Sequence, residues 1–309
     1  MPKLASYNGK VDLIENIKVS PMSRAFLFSD SVYEVISFYK NEFIDFETHL
    51  DRLNHSLNET KISCLIEDCR AEIEELLNES KSEDGYIYYQ VTRGVDSIRS
   101  HFFEESDCER FGFIEEFSFF NQSPLRVMLA DDIRWQRCDI KSTSLLGNVL
   151  QMNDAKRNGC NEILMHKNCK LTEGGASNIF FVKDKKIFTP ELSSNILPGI
   201  TRHQVIKIIK DKKLDFEEGS YSIDDLKEAS SIWFTSTTKG IIGVEEIVNL
   251  ETKLILNVSY LRFVKMHLQK SILASTNFNY QSLNFLPCIK PFNSFECFFN
   301  LKNIFAKAQ

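Results

Sequence analysis

A single lysine, Lys141, interrupts the mostly apolar stretch CDIKSTSLLGN at residues 138 to 148. An amine in a strand of this kind either lies along the surface with its charge in water, or has its charge weakened by its surroundings so that it can react. Glu173 stands directly before a pair of glycines in TEGGASN, as if the backbone passed close to a ligand that the carboxylate reaches. The ordinary alternatives are a solvated lysine and a simple turn.

Three other stretches carry groups that suit an anion. GIT precedes a predicted helix and places Thr201 at its N-cap, where free N–H groups and the helix dipole favour a phosphate. FTSTTKG brings Thr237 and Thr238 to the end of a predicted strand. Arg52 is offset from the leucine stripe of its predicted helix, so we expect its planar guanidinium to project away from the core and to suit phosphate oxygens. A helix cap, a solvated strand end and a surface arginine remain the alternatives.

Taken together, these residues favour one cofactor. Pyridoxal phosphate requires an amine that forms a Schiff base, a carboxylate that keeps a ring nitrogen protonated, and a set of phosphate ligands. All these parts are present in the sequence, although each stretch alone is weak evidence.

The composition is that of a globular protein that handles small molecules. The 309 residues are 43% hydrophobic and 26% charged, enough for two domains of ordinary size. A net charge of -6 does not favour nucleic acid or an anionic membrane as a partner. With no targeting pattern and no long apolar stretch, we expect a cytoplasmic protein. The cysteines form no close Cys-x-x-Cys pair, so no metal site is predicted.

The elements that must position these residues follow from turn signals and hydrophobic spacing. Hairpins are predicted around Asn8-Gly9 and Lys40-Asn41, and two amphipathic helices follow in ETHLDRLNHSLNETKI and EDCRAEIEELLNES. A later hairpin is expected to turn at Lys183-Asp184. The turn signal at Ser123-Pro124 divides the chain into an N-terminal domain (residues 1–121) and a second domain (122–272). The Phe- and Asn-rich tail, 273–309, has no assigned role.

The chain resembles the fold-type IV aminotransferases, which include D-amino-acid aminotransferase, branched-chain aminotransferase and aminodeoxychorismate lyase. The similarity runs from about Tyr7 to Glu246. It is carried by YNGK, SRAFLFSDSVYEV, HLDRL, YQVTRGV, DIKSTSLLGNVL, AKRNGCNEIL, TEGGASNIFFV and LPGITRHQVI.

The resemblance implies a fold and a set of roles. The fold is of the α+β class, with a small N-terminal α/β two-layer domain and a larger C-terminal α/β pseudo-barrel domain that binds the cofactor, and the expected assembly is a homodimer. Lys141 would form the Schiff base with pyridoxal phosphate, and Glu173 would be the partner of the pyridine nitrogen. The phosphate cup would consist of Arg52, Ile200, Thr201, Thr237 and Thr238.

The stretch VTRGVDSIRSH resembles the D-amino-acid aminotransferase pattern in particular. That likeness implies that Arg99 and His101, with Tyr33 from the VYEV strand, bind the substrate α-carboxylate. The expected reaction moves an amino group from a D-amino acid, such as D-alanine, to a 2-oxo acid such as 2-oxoglutarate. A branched-chain L-amino-acid aminotransferase and an aminodeoxychorismate lyase of the same fold remain alternatives.

One stretch departs from the family pattern. Where relatives commonly have glycines in RGFxFGDGVYE, this chain has Ala25, Ser29 and Ser31. Any of these positions that requires a positive φ is expected to be strained by about 1 kcal/mol.

Overall fold

The computed structural model of the chain contains two β-sheets, one of six strands and one of eight, together with helices. The structure describes residues 3–103, 107–117, 123–250 and 258–275. The strands are β1 Leu4–Tyr7, β2 Lys10–Leu13, β3 Ser31–Tyr39, β4 Glu42–Phe43, β5 Gly85–Thr92, β6 Glu109–Glu116, β7 Leu125–Asp131, β8 Glu162–Lys167, β9 Lys170–Gly174, β10 Asn178–Lys183, β11 Lys186–Pro190, β12 Phe216–Gly219, β13 Ser231–Ser236 and β14 Gly240–Ile247. The helices are α1 Arg24–Phe28, α2 Phe46–Thr60, α3 Ile66–Ser80, α4 Leu146–Arg157, α5 Ile200–Asp211, α6 Ile223–Lys227 and α7 Val258–Ser275.

The first sheet is antiparallel throughout, with the order β2-β1-β6-β5-β3-β4. Its two hairpins turn where the sequence predicts. Asn8 and Gly9 have φ of 49° and 79°, and Lys40 and Asn41 have φ of 53° and 61°. Paired positive φ values match the right-handed twist of the flanking strands, which is why these short turns close hairpins.

Helices α2 and α3 pack on this sheet, and the side chains between the helices and the sheet form a hydrophobic core. The leucine stripe of α2 is buried, and so are the apolar positions of α3. They meet Ile36 of β3 and Ile87 of β5, which are fully buried. The predicted amphipathic helices are therefore confirmed, because each buries the face that its hydrophobic spacing defines.

The second sheet is mixed, with the order β12-β11-β10-β13-β14-β7-β8-β9. Helix α4 connects β7 to its parallel neighbour β8, and β14 and β12 also run parallel to a neighbour. The predicted turn between β10 and β11 is displaced by one residue. Strand β10 continues through Lys183, and the positive φ values fall on Asp184 and Lys185.

Strand β10 is buried on both faces, which explains its continuous apolar run IFFV. Phe180 packs with Trp233, with their ring centres 5.8 Å apart, in the cluster that α5 and α7 cover. Ile179 and Phe181 point to the opposite face and belong to a separate cluster. Alternate residues of a strand face opposite sides, so a strand between two apolar layers needs no polar positions.

The sheets match the expected α+β architecture, in which the second sheet forms a half-barrel. The predicted boundary at residues 121 and 122 lies outside the described residues. The tail predicted from residue 273 begins within α7, and from residue 276 it too lies outside them. Across the described part of the chain, no helix has both the length and the apolar character needed to cross a membrane.

The three residues at the family's glycine positions have different backbone conformations. Ala25 is helical in α1, and Ser31 begins β3. Ser29 caps α1 in the left-handed region, with φ of 54°. The expected strain therefore applies to Ser29 alone.

Candidate active site

A cavity of about 380 Å³ collects most of the predicted site residues. This volume lies within the range that accommodates small ligands. The predicted residues that line it are Tyr33, Arg52, Lys141, Glu173, Ile200, Thr201 and Thr237. They come from β3 and α2 on one side and from segments attached to the second sheet on the other.

Lys141 lies in an extended segment that leads to α4, and the prediction that it lies in a strand is wrong. A single bridge, between Val32 and Ser142, joins this segment to β3. The Lys141 carbonyl accepts a hydrogen bond from the Tyr33 N–H at 2.9 Å, and its own N–H donates to Ser56 Oγ at 3.2 Å. The lysine Nζ lies 4.3 Å from the centre of the Tyr33 ring. The backbone is thus fixed on both sides while the amine lines the cavity.

Glu173, near the end of β9, is 4% exposed and makes three contacts through its two carboxylate oxygens. Arg134 Nη1 donates to Oε1 at 2.6 Å, while Asn178 Nδ2 at 2.9 Å and the Leu197 N–H at 3.0 Å donate to Oε2. Burial raises the pKa of Glu173 to about 7, although Arg134 acts in the opposite direction. The carboxyl group therefore changes charge near neutral pH.

Arg134 was not predicted from the sequence. Its guanidinium is held in turn by a second carboxylate, that of Asp132. Its Nε and Nη2 donate to Asp132 at 2.9 and 2.8 Å, and Nη2 also reaches the Asn195 carbonyl at 3.0 Å. Burial by itself raises the pKa of Asp132, but the bonds from Arg134 outweigh it and lower the pKa. Asp132 therefore keeps its charge and fixes the guanidinium that contacts Glu173. No pattern in DDIRW marks Arg134 as a site residue, because Glu173 and Asn195, which it also contacts, lie far along the chain.

The LPGIT segment connects the carboxyl side of the cavity to the predicted phosphate side. The Leu197 N–H binds Glu173, and the Pro198 carbonyl accepts from Arg52 Nη1 at 3.1 Å. Gly199 is the N-cap of α5, so the prediction that Thr201 caps the helix is wrong by two positions. The first N–H groups of a helix have no intrahelical acceptor, and this end of α5 lines the cavity. It is therefore suited to bind a phosphate.

Arg52 is 8% exposed, and the prediction that it projects away from the core is wrong. Glu34 of β3 accepts from Arg52 Nε and Nη2, each at 2.7 Å, and His49 Nδ1 lies 2.8 Å from the same carboxylate. Burial alone raises the pKa of Glu34, but Arg52 and His49 outweigh it and hold the pKa well below its usual range. This ion pair fixes the Arg52 guanidinium at the cavity wall, beside the N-terminus of α5.

The two threonines of the STTKG turn are placed differently. Thr237 lines the cavity, whereas Thr238 is not among the described residues that do so. Both lie between β13 and β14, in the turn that ends at Gly240.

Arg99 and His101 lie in the exposed loop that follows β5. The Arg99 guanidinium is 4.8 Å from the centre of the Phe28 ring, and the His101 ring is 5.5 Å from it. Neither side chain is among the described residues that line the cavity. Within one chain, the structure therefore does not bring them to Lys141 and Tyr33.

Buried arginines hold this loop in place. Arg24 Nη1 donates to Asp96 at 2.6 Å and to the Ser100 carbonyl at 2.8 Å. Arg93, from the VTRG stretch, binds Asp30 and lies 3.7 Å from the centre of the Phe103 ring. The described part of the loop that carries Arg99 and His101 is therefore held at Asp96, Ser100 and Phe103.

The family of the chain follows from its likeness to known proteins. The amino-transferase class IV family matches residues 31–247. This chain belongs to the class IV aminotransferases. D-alanine aminotransferase from Listeria monocytogenes serotype 4b (strain F2365) is 35% identical over 246 residues, which cover 75% of this chain and 83% of that protein. D-alanine aminotransferase from Staphylococcus haemolyticus is 31% identical over 247 residues, which cover 78% and 87%.

Solved structures share the fold at lower identity. The branched-chain amino acid aminotransferase from Escherichia coli has a TM-score of 0.76 at 21% identity, covering 92% of this chain and 98% of that one. A putative 4-amino-4-deoxychorismate lyase from Legionella pneumophila has a TM-score of 0.75 at 19% identity, covering 82% and 95%. These likenesses confirm the fold-type IV architecture and leave the substrate open.

The residues of the cavity fit pyridoxal phosphate, the cofactor on which class IV aminotransferases depend. An amine, a buried carboxyl group and a helix N-terminus beside a fixed arginine line the same space. These are the chemically distinct groups that the aldehyde, the ring nitrogen and the phosphate require. Among the described residues, no group of three or more His, Cys, Asp or Glu side chains is arranged to hold a metal ion.

Proposed function

We propose that this class IV aminotransferase transfers an amino group from a D-amino acid, such as D-alanine, to a 2-oxo acid such as 2-oxoglutarate. One observation carries the proposal: a cavity that combines the Lys141 amine, the Glu173 carboxyl and the N-terminus of α5. The D-alanine aminotransferases at 31 to 35% identity and the Arg99–His101 pattern support the choice of substrate.

Lys141 has two tasks in the proposed mechanism. Its amine would hold the cofactor, and the same amine would move the proton from the substrate Cα. When bound, pyridoxal phosphate acts as an electron sink for the charge that develops at Cα. The fixed backbone of Lys141 keeps the amine on one side of the cavity, so the position of the substrate carboxylate decides which enantiomer presents its hydrogen.

Glu173 keeps the cofactor's ring nitrogen protonated in this proposal. With a pKa of about 7 in the cofactor-free chain, the carboxyl group ionises readily beside a cation. Arg134, Asn178 and the Leu197 N–H orient it, and they leave it little freedom to turn.

The phosphate would lie between Arg52 and the N-terminus of α5, with Thr237 beside them and Thr238 in the same turn. Arg52 gives one Nη to the Pro198 carbonyl and is clamped by Glu34, so its remaining N–H groups are held in a fixed direction. A rigid guanidinium fork loses little entropy when it binds an oxyanion.

We propose that the enzyme is a homodimer in which Arg99 and His101 reach the substrate carboxylate from the second chain, beside Tyr33. Within one chain both residues lie outside the cavity, next to apolar side chains such as Phe102, which is 89% exposed. Val149 of α4, which lines the cavity, and Leu146 of the same helix are also exposed. Exposed apolar side chains of this extent are typical of surfaces that associate.

A substrate assay tests the proposal. The enzyme is supplied with pyridoxal phosphate, 2-oxoglutarate and either D-alanine or L-alanine, and pyruvate is measured. We expect pyruvate with D-alanine only. Activity restricted to L-alanine would contradict the D-amino-acid assignment, and pyruvate release from aminodeoxychorismate without a 2-oxo acid would indicate a lyase.

A further inference from the structure

Glu162, the first residue of β8, is a carboxylate that the proposed chemistry does not use. It is 1% exposed, and both of its oxygens are engaged. Oε1 accepts from the N–H groups of Ile163 and Gly175, each at 3.0 Å. Oε2 accepts from Ser177 Oγ at 3.1 Å and lies 3.4 Å from Lys239 Nζ. A buried carboxylate with this many donors is a fixed structural centre.

The partners of Glu162 belong to two separate turns. Gly175 and Ser177 lie between β9 and β10, in the turn flanked by Glu173 and Asn178. Lys239 ends the turn between β13 and β14, directly after Thr237 and Thr238. Glu162 therefore joins the turn that presents the predicted partner of the ring nitrogen to the turn that presents the predicted phosphate threonines.

The glycines of TEGGASN are explained by the same packing. A Cβ at Gly175 would lie 3.2 Å from Glu162 Oε1 and would overlap Met152, and a Cβ at Gly174 would overlap Ser177 Oγ. The atoms that come close to this backbone are the protein's own. Glycine at positions 174 and 175 therefore lets the turn pack against Glu162, Met152 and Ser177 without displacing their side chains.

We propose that Glu162 is a positioning residue that fixes the spacing between the Glu173 turn and the Thr237–Thr238 turn. The inference rests on the proposed cofactor roles of those residues. A rigid ligand with a ring nitrogen at one end and a phosphate at the other binds well only if both turns are held at one separation.

Two substitutions break the contact between Glu162 and Lys239 while leaving a side chain of similar size at each position. In Glu162→Gln the amide oxygen still accepts from the two backbone N–H groups, but an NH₂ group replaces the oxygen that faces Ser177 and Lys239. Lys239→Met breaks the same contact from the other turn. Glu217→Gln is the matched control, because Glu217 pairs with Lys186 at 2.6 Å on the exposed surface.

The measurements are made on the full-length chain. The dissociation constant of pyridoxal phosphate is measured by absorbance, the bound cofactor's absorption is titrated with pH, and the cofactor-free proteins are melted to check folding. We expect Glu162→Gln and Lys239→Met each to raise the dissociation constant about ten-fold and to move the midpoint of the pH titration, because Glu173 is displaced. The double variant should be no worse than either single variant, and Glu217→Gln should match the wild type.

Whether Glu162→Gln weakens or tightens cofactor binding distinguishes the proposed positioning role of Glu162 from a simpler role for Lys239. If Lys239 acted only as a free cation near the phosphate, removing its carboxylate partner would tighten cofactor binding. Tighter binding in Glu162→Gln, or a folded Lys239→Met with wild-type binding and an unmoved midpoint, would overturn the inference. If the wild type itself failed to bind pyridoxal phosphate, the proposed function would fall as well, so the two failures are distinguishable.

Discussion

The cofactor side of the cavity and the loop that carries Arg99 and His101 differ in how completely one chain builds them. On the cofactor side, Glu34 fixes Arg52, Arg134 and Asn178 fix Glu173, and all of the predicted cofactor residues except Thr238 line one cavity. The loop is equally well anchored, through Arg24, but its functional side chains are exposed. One chain thus brings the proposed cofactor residues together, whereas the proposed substrate contact needs a second chain.

The first prediction concerns the removal of the Lys141 amine from the cofactor side of the cavity. Lys141→Ala should lower kcat with D-alanine by at least about a thousand-fold, because both the covalent attachment and the proton transfer are lost. Steady-state kinetics measures the change. Lys156→Ala, on the exposed face of α4, should retain wild-type activity. A Lys141→Ala enzyme with substantial activity would contradict the account.

The second prediction concerns the loop. Arg99→Ala should raise KM about ten- to a hundred-fold for every amino acid, since a charged hydrogen bond to the carboxylate is lost. The affinity for pyridoxal phosphate should stay unchanged. A variant that loses the cofactor instead, or that keeps its KM, would show that the loop does not bind the substrate carboxylate.

Mixed dimers test whether the Arg99 and the Lys141 of one site come from different chains. If Arg99 acts across the interface, Lys141→Ala chains co-expressed with Arg99→Ala chains form some sites that contain both native residues. At a D-alanine concentration well below the wild-type KM, random pairing should then restore about a quarter of wild-type activity. Lys141→Ala mixed with Glu173→Ala is the control, because both residues line the cavity of one chain and no chain in that mixture has both. Equal activity in the two mixtures would place Arg99 and Lys141 in the same chain.

The third prediction concerns the pH at which the Glu173 carboxyl group ionises. In the cofactor-free chain this carboxyl group should titrate near pH 7, as seen in the difference infrared spectrum against Glu173→Gln. Because its pKa is raised on folding, its contribution to stability is present below about pH 4 and is lost as the pH rises through 7. Cofactor binding at pH 7 should release a proton, because a cationic ring nitrogen lowers the pKa. Proton uptake on binding would be the opposite result.

The smallest predicted effect lies in the turn between α1 and β3. Ser29→Gly should raise the free energy of unfolding by about 0.5 to 1 kcal/mol, since glycine adopts φ of 54° without strain. Ala25→Gly, in the helix next to it, should lower that free energy by about 1 kcal/mol. Denaturant titration measures both, and effects of equal sign would refute the conformational explanation.

Hydrophobic spacing and turn chemistry were sufficient to predict much of the fold, and the family resemblance supplied the residues of the cavity. The hairpins at Asn8-Gly9 and Lys40-Asn41 follow from local rules, and so do the faces of α2 and α3. The largest error concerns a contact between distant segments. Arg52 was predicted to face solvent because its helical position says nothing of Glu34 on β3.

The buried polar partners were the hardest to predict. Arg134 and Glu162 carry no local pattern, and each acquires its role only when separate segments of the chain meet. The placement of Arg99 and His101 outside the cavity was equally hidden, since a sequence pattern does not say which chain supplies a residue.

The most direct test of the central claim is to locate the lysine that holds the cofactor. The enzyme is loaded with pyridoxal phosphate and reduced with borohydride, and its proteolytic peptides are analysed by mass spectrometry. We expect a phosphopyridoxyl group on Lys141 alone. A label on another lysine, such as Lys239, or no label at all, would contradict it.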